Sequence, residues 1–116
     1  MNILWVENHA SFARLAGRQF LAAHAVTVVP SLADARAALA ANAFDVVLID
    51  YDLDDGKGDE LVRELCGRPD EPRVVATSSH DEGNRKLLDA GAHAVCGKMQ
   101  FSRIAEVLTK LSDGGN

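Results

Sequence analysis

Short apolar runs alternate along this chain with longer stretches in which apolar residues return every three or four positions. The clearest run is Val46-Val47-Leu48-Ile49, which ends abruptly at Asp50. A run of this kind, rich in β-branched residues and bounded by turn formers, predicts a strand buried on both faces. Residues 2–6, 25–29, 73–77 and 93–97 predict four further strands on the same grounds. Between them the period changes to that of a helix. Phe12, Leu15, Ala16, Gln19, Phe20 and Ala23 share one face of a first helix. Pro30 closes the second strand, and Ser31-Leu32-Ala33-Asp34 has capping-box form with Asp in place of Glu. Leu32, Ala35, Ala38 and Leu39 form the inner face of an Ala-rich second helix, and Leu61, Val62 and Leu65 that of a third. Pro69 and Pro72 bracket the next connection. A fourth helix is predicted from about residue 82 to 90, with Gly91 as its C-terminal cap. Ile104, Val107, Leu108 and Leu111 mark a last amphipathic helix.

Strands and helices in strict alternation predict an α/β protein with a parallel sheet covered on both sides. Right-handed crossovers make this a three-layer α/β/α sandwich. The 116 residues make one domain, placed at 1–112, with a short flexible tail at 113–116.

Composition narrows the partners. A net charge of −5 argues against nucleic acid, whose phosphates call for a basic face. The chain has no signal peptide and no apolar run long enough to span a bilayer, so no membrane partner and a cytoplasmic location are expected. Cys66 and Cys96 lie in or beside apolar segments and read as buried, reduced thiols.

In a parallel sheet the strands end on one edge, where ligand sites form. Here that edge receives Glu7-Asn8, Asp50, Thr77-Ser78 and Gly97-Lys98. Each has an ordinary structural role when taken alone. Glu7 and Asn8 can cap a helix, Asp52, Asp54 and Asp55 can form turns and caps, Thr77 can be a plain strand residue, and Lys98 a solvated charge. Taken together they suit phosphoryl transfer to Asp50, with a magnesium ion neutralising the developing charge. Asp50, Asn8 and the Asp52 backbone carbonyl are the candidate metal ligands, with Glu7 holding a bound water. Lys98 and the Thr77 hydroxyl would bind phosphoryl oxygens. Ser78 takes the place of Thr77 if the strand slips by one residue.

WVEN after the first strand, LIDYDLDDGKG at the third, VVATSS at the fourth, DAGA before the fifth and GK after it resemble the receiver domains of two-component response regulators. The resemblance runs from Asn2 to about Leu111. It implies a flavodoxin-like fold with a five-stranded parallel sheet in the order 2-1-3-4-5. It also implies that Asp50 accepts phosphate from a histidine kinase or phosphotransfer protein, and that the domain signals rather than acting as an enzyme. A stand-alone receiver, similar to the chemotaxis regulators and acting on a downstream protein target, is the expectation.

The match is atypical. Asn8 stands where the family carries a second acid, which implies weaker magnesium binding. Asp54 replaces a proline four residues beyond the phosphoacceptor. Met99 replaces the proline after Lys98, so no cis bond is expected there. Val95 replaces the aromatic switch residue of the fifth strand. In the family the residues two beyond the phosphoacceptor and two beyond the Thr line the path of the hydrolytic water. Here these are Asp52 and Ser79, both small, and Asp52 can orient that water. The family's usual output face, formed by helix four, strand five and helix five, offers Arg85, Lys86, His93 and Arg103 but no obvious hydrophobic patch. The start of helix one, from His9 to Arg14, is the expected docking point for a phosphodonor.

Two other classes stay open. One is a pseudo-receiver, an interaction module that keeps the fold without phosphorylation. The other is a small haloacid-dehalogenase-like phosphohydrolase, whose Asp-x-Asp signature fits Asp50-Tyr51-Asp52. His9 reads as a partly exposed loop residue rather than a metal ligand, and Trp5 as core packing.

Overall fold

A computed structural model, in which residues 1–114 are described, shows how these segments assemble. The elements run β1 (Asn2–Val6), α1 (Ala10–Phe20), β2 (Ala25–Val29), α2 (Leu32–Ala41), β3 (Val46–Ile49), α3 (Gly58–Leu65), β4 (Arg73–Ala76), α4 (Asp81–Ala90), β5 (Ala94–Val95) and α5 (Ile104–Gly114). The five strands are parallel and ordered β2-β1-β3-β4-β5. The sheet therefore grows outward from β1 to β2, then reverses to β3 on the other side of β1. That reversal opens a crevice at the carboxyl ends of β1 and β3, the place where sheets of this kind hold ligands.

Strand period two sorts the core into two layers. Leu4, Val6, Val47, Ile49, Val74 and Ala76 face α2, α3 and α4, where Leu32, Leu61, Leu65 and Leu87 meet them. Ile3, Trp5, Val46, Leu48 and Val75 face α1 and α5. Each Val, Leu or Ile among them, fully buried, contributes roughly 1.5–3 kcal/mol. Trp5 is core, as its pattern predicts: its ring stacks on Phe101 at 4.7 Å between centroids and meets Phe12 edge-on at 5.8 Å.

That aromatic layer overturns part of the helix-one prediction. Leu15 is 60% exposed and Gln19 is exposed, while Ala23 lies beyond the end of α1. The small Ala13 and Ala16, flanked by Phe12 and Phe20, face inward instead. The stacked rings already fill the space beneath α1, and only small residues let the helix lie against them.

The start of α2 also differs in detail. Ser31 Oγ accepts from the Asp34 amide at 3.1 Å, as a cap does. The other free amides are taken by a residue remote in sequence: Asp55 accepts from Leu32 N at 2.8 Å and Ala33 N at 3.0 Å. The acidic turn after β3 thus reaches over to tie down α2. Within that turn Asp52–Leu53 and Gly56–Lys57 pair as a tiny antiparallel hairpin that the apolar pattern did not predict.

Further along, β4 ends one residue earlier than expected and Thr77 follows it, still donating its amide to Ile49 O. β5 is shorter than residues 93–97, although His93 N and Cys96 N continue its bonds to Val74 O and Ala76 O. Gly91 caps α4 at φ +126°, a conformation that L side chains rarely adopt. A 3₁₀ turn, Lys98–Arg103, precedes α5. α5 continues through Gly114, so the first part of the expected tail is helical. The rest of that tail, residues 115–116, lies outside the described residues. Cys96 is buried, but Cys66 is exposed at the end of α3, contrary to its pattern. Among the described residues no peptide is cis, the one after Lys98 included, and no helix is long and apolar enough to cross a membrane.

Candidate functional site

The crevice between the ends of β1 and β3 collects the charged residues. Asp50 follows the buried run of β3 and is itself buried, with its amide bonded to Val6 O at 3.0 Å. Its Oδ1 accepts from the Tyr51 amide at 2.8 Å, which holds the carboxylate in one orientation. Glu7, at the end of β1, is 1% exposed. Lys98, just past β5, reaches across both strand ends. Its Nζ donates to Glu7 Oε2 at 2.9 Å and to Asp50 Oδ2 at 3.1 Å. The ammonium also lies over Phe12, with Nζ 5.6 Å from the ring centroid.

Burial pushes the Glu7 carboxyl above its ordinary range. The bond from Lys98 opposes that shift, the nearby Asp50 charge adds to it, and the His9 amide opposes it again. One ammonium thus serves two buried carboxylates, so the cluster holds more negative than positive charge.

Three polar atoms in this region are buried without a partner among the described residues: Glu7 Oε1, Asn8 Oδ1 and Thr77 Oγ1. A buried polar group left unpaired is costly, on the order of 1–3 kcal/mol. Oxygen atoms left in this condition beside an excess of negative charge suit a hard divalent cation, so the donor set fits the metal that the sequence implies. Asn8 itself turns its amide nitrogen to Asp54 Oδ1 at 3.3 Å.

The predicted residues are thus brought together unevenly. Glu7, Asp50 and Lys98 make direct contacts. Thr77 is fully buried at the end of β4. Asp52 and Ser79 are exposed, and the Asp52 carboxylate is paired with Lys57 of the hairpin rather than with the cluster. His9 is exposed, as expected, yet it also belongs to the cluster. Its Nδ1 lies 2.9 Å from Lys98 Nζ and 3.3 Å from Glu7 Oε2, and its amide donates to Glu7 Oε2 at 3.1 Å.

Sequence reasoning missed Asn84. Its buried amide accepts from Ser78 N at 2.9 Å and donates to Ser78 O at 3.1 Å. Two bonds to one peptide residue lock the loop that carries Thr77. The signal was a polar residue at an inward position of α4, three before Leu87. Gly58, at the start of α3, also shapes the site. A Cβ there would lie 2.1 Å from Asp50 O, so the backbone of α3 can approach the Asp50 loop only at a glycine.

A groove of about 640 Å³ runs beside β5 with mixed walls, Val95, Cys96, Val107 and Leu111 alternating with His93, Arg103 and Lys110.

A five-stranded parallel sheet of this order, with an acid at the end of β3 bridged by a lysine from beyond β5, defines the receiver class. The chain belongs to the response regulator receiver domain family, whose profile matches residues 3–109. Solved structures agree on the fold. The Francisella response regulator 1452 receiver domain superposes with a TM-score of 0.84 at 18% identity, covering 99% of this chain and 98% of that one. Thermotoga maritima DrrB, an OmpR/PhoB homologue, gives 0.83 at 19% identity; the match covers 99% of this chain and 54% of DrrB. Response regulator Rcp1, solved in a Mn²⁺-bound form, gives 0.74 at 18% identity over 91% of this chain and 90% of its own. Among curated proteins no sequence matches significantly.

Proposed function

We propose that Asp50 of this receiver accepts a phosphoryl group from a histidine kinase or a histidine phosphotransfer protein and relays a two-component signal to a downstream protein. The observation that carries the reading is the buried Asp50 carboxylate held by the Lys98 ammonium at the switch point of the sheet. An Asp50 oxygen attacks phosphorus in line while the bond from phosphorus to the donor imidazole breaks. Lys98 pairs with the phosphoryl oxygens, and the unpartnered Thr77 hydroxyl donates to one of them. A divalent cation, when bound, supplies charge neutralisation between carboxylate and phosphoryl group. Asp50, Asn8 and the Asp52 carbonyl are the residues to hold it, with Glu7 acting through water. The Mn²⁺ in Rcp1 supports a divalent site in this fold. Asp52 and Ser79 border the path of the hydrolytic water and set how long the phosphoryl group lasts. The acidic chain acts on protein partners in the cytoplasm, with neither nucleic acid nor membrane as a direct partner. Membership in the receiver family argues against the dehalogenase-like alternative.

Incubation with acetyl phosphate and Mg²⁺, followed by intact mass, tests the reading. One added phosphoryl group on the wild type and none on Asp50→Asn is expected. A folded wild type that stays unmodified would overturn it. The pseudo-receiver reading would then stand, favoured by the Asn8 side chain turned toward Asp54.

A further inference from the structure

The Lys98 ammonium sits among three potential metal-ligating atoms: Glu7 Oε2 at 2.9 Å, Asp50 Oδ2 at 3.1 Å and His9 Nδ1 at 2.9 Å. Each of Glu7, His9 and Asp50 offers one ligand atom, and these atoms all lie within 4.8 Å of one another. Donors around a single first-row ion, bound at about 2.0–2.2 Å each, stand roughly 3–4 Å apart, so small side-chain movements suffice to close on one. We propose that His9, with Glu7 and Asp50, forms a nitrogen–oxygen site that takes a first-row transition divalent cation, Co²⁺ or Zn²⁺ in class, through a direct imidazole bond. The proposal rests on the reading of this pocket as a divalent-cation site and names the residue that sets its metal preference.

Three observations support it. Glu7 is 1% exposed and its second oxygen, Oε1, has no partner among the described residues, so the buried end of the cluster has an unused acceptor. The His9 amide donates to Glu7 Oε2 at 3.1 Å and its ring Nδ1 lies 3.3 Å from the same oxygen, so backbone and ring both face the carboxylate. Finally, the chain carries a neutral Asn8 between the two, and its amide nitrogen is engaged with Asp54. The pocket is therefore poorer in anionic oxygen than one with two adjoining acids, and richer by one imidazole.

The chemistry follows from donor type. Magnesium sheds water reluctantly and prefers oxygen donors, so it gains little from an imidazole. Zinc and cobalt bind imidazole well, and affinity for such sites rises along the first row. The His9 side chain is 67% exposed, leaving an open flank on the ion for water or a phosphoryl oxygen. Lys98 and the ion compete for the same three atoms, so the ammonium must withdraw when the ion enters.

The test uses the unphosphorylated full chain. Co²⁺ binding is followed by its visible absorption, and Mg²⁺ binding by calorimetry, in the wild type, His9→Gln and Asp50→Asn. Because any such site prefers Co²⁺ to Mg²⁺, the deciding quantity is the dependence on His9. His9→Gln should weaken Co²⁺ by at least about tenfold, the scale seen when even a supporting group is lost from a metal site, and leave Mg²⁺ within about twofold. Its Co²⁺ spectrum should also lose intensity and shift. Asp50→Asn should weaken both ions. Unchanged Co²⁺ affinity in His9→Gln overturns the proposal. So does Co²⁺ binding that survives in Asp50→Asn, since that binding would belong to another histidine. The phosphoacceptor reading is judged separately by labelling with acetyl phosphate and Mg²⁺, which does not depend on His9.

Discussion

Lys98 and Asp50 stand 48 positions apart in the chain, yet Nζ and Oδ2 meet at 3.1 Å. The contact exists because β3 and β4, then β4 and β5, lie side by side in parallel and end on the same edge. It is shared with Glu7, so the lysine neutralises part of a site that would otherwise hold only acids.

Lys98→Ala should therefore destabilise the metal-free protein at neutral pH. Removing one partner of a buried ion pair costs about 3–5 kcal/mol. The deficit should depend on pH, through Glu7. Burial holds its carboxyl above the ordinary range, so the folded state binds that proton more tightly than the unfolded chain. Stability linked to the group is present below its unfolded value and lost as pH rises through the folded one. Without Lys98 this dependence steepens, and the variant recovers stability relative to wild type as pH falls toward 5. Urea unfolding at pH 5 and pH 8 measures this; an equal deficit at both would remove Glu7 from the account.

Thr77→Val should separate stability from signalling. The Thr77 hydroxyl is fully buried and has no partner among the described residues. Replacing it by a methyl group of the same shape relieves an unmet hydrogen bond, so the unphosphorylated domain should gain about 1 kcal/mol. The same change should weaken the hold on a phosphoryl group or on beryllofluoride. Thermal unfolding with and without beryllofluoride reads both effects, and a loss of stability in the unliganded variant would count against the unpaired hydroxyl.

Asp55→Asn should loosen the junction between the acidic turn and α2. The two amides of α2 hold the Asp55 carboxyl below its ordinary range, Leu32 foremost. A lowered carboxyl stabilises the fold above the unfolded value near 3.8, and that contribution is lost as pH falls through the lower folded value. Wild type should be the more stable at pH 7, with the gap closing as pH falls below that unfolded value. Melting curves across that range check it, and a gap that persists in strong acid would show that the charge is not responsible.

Gly58→Ala should be the most damaging single methyl in the loop. The added carbon meets the Asp50 carbonyl oxygen, part of the backbone, at 2.1 Å, so α3 or the loop must move. Overpacking of this kind costs about 1–3 kcal/mol or somewhat more. Amide exchange should accelerate at Gly58, whose N–H donates to Tyr51 O at 2.7 Å. A variant as stable as wild type, with unchanged exchange there, would show that the loop is slack.

The strand run before Asp50, the lysine after the last strand and the alternation of elements are local patterns. Backbone sterics and burial act on neighbours two to four residues apart, so these features could be read from the chain alone. They were enough to place Glu7, Asp50 and Lys98 on one edge and to point to the family. The tertiary structure decided the rest. Leu15 turned outward because Trp5 and Phe101, far apart in sequence, stack and occupy the space beneath α1. Asp55 became a cap for α2 because the hairpin folds over to reach it. Asn84 became the lock on Ser78 because α4 settles against the end of β4. His9 entered the charged cluster because Lys98, 89 residues away, came to rest against its ring nitrogen. Periodicity specifies which face of an element is buried, but it carries no information about which remote side chain will be waiting there. That is settled only when the sheet order brings the partners to the same edge.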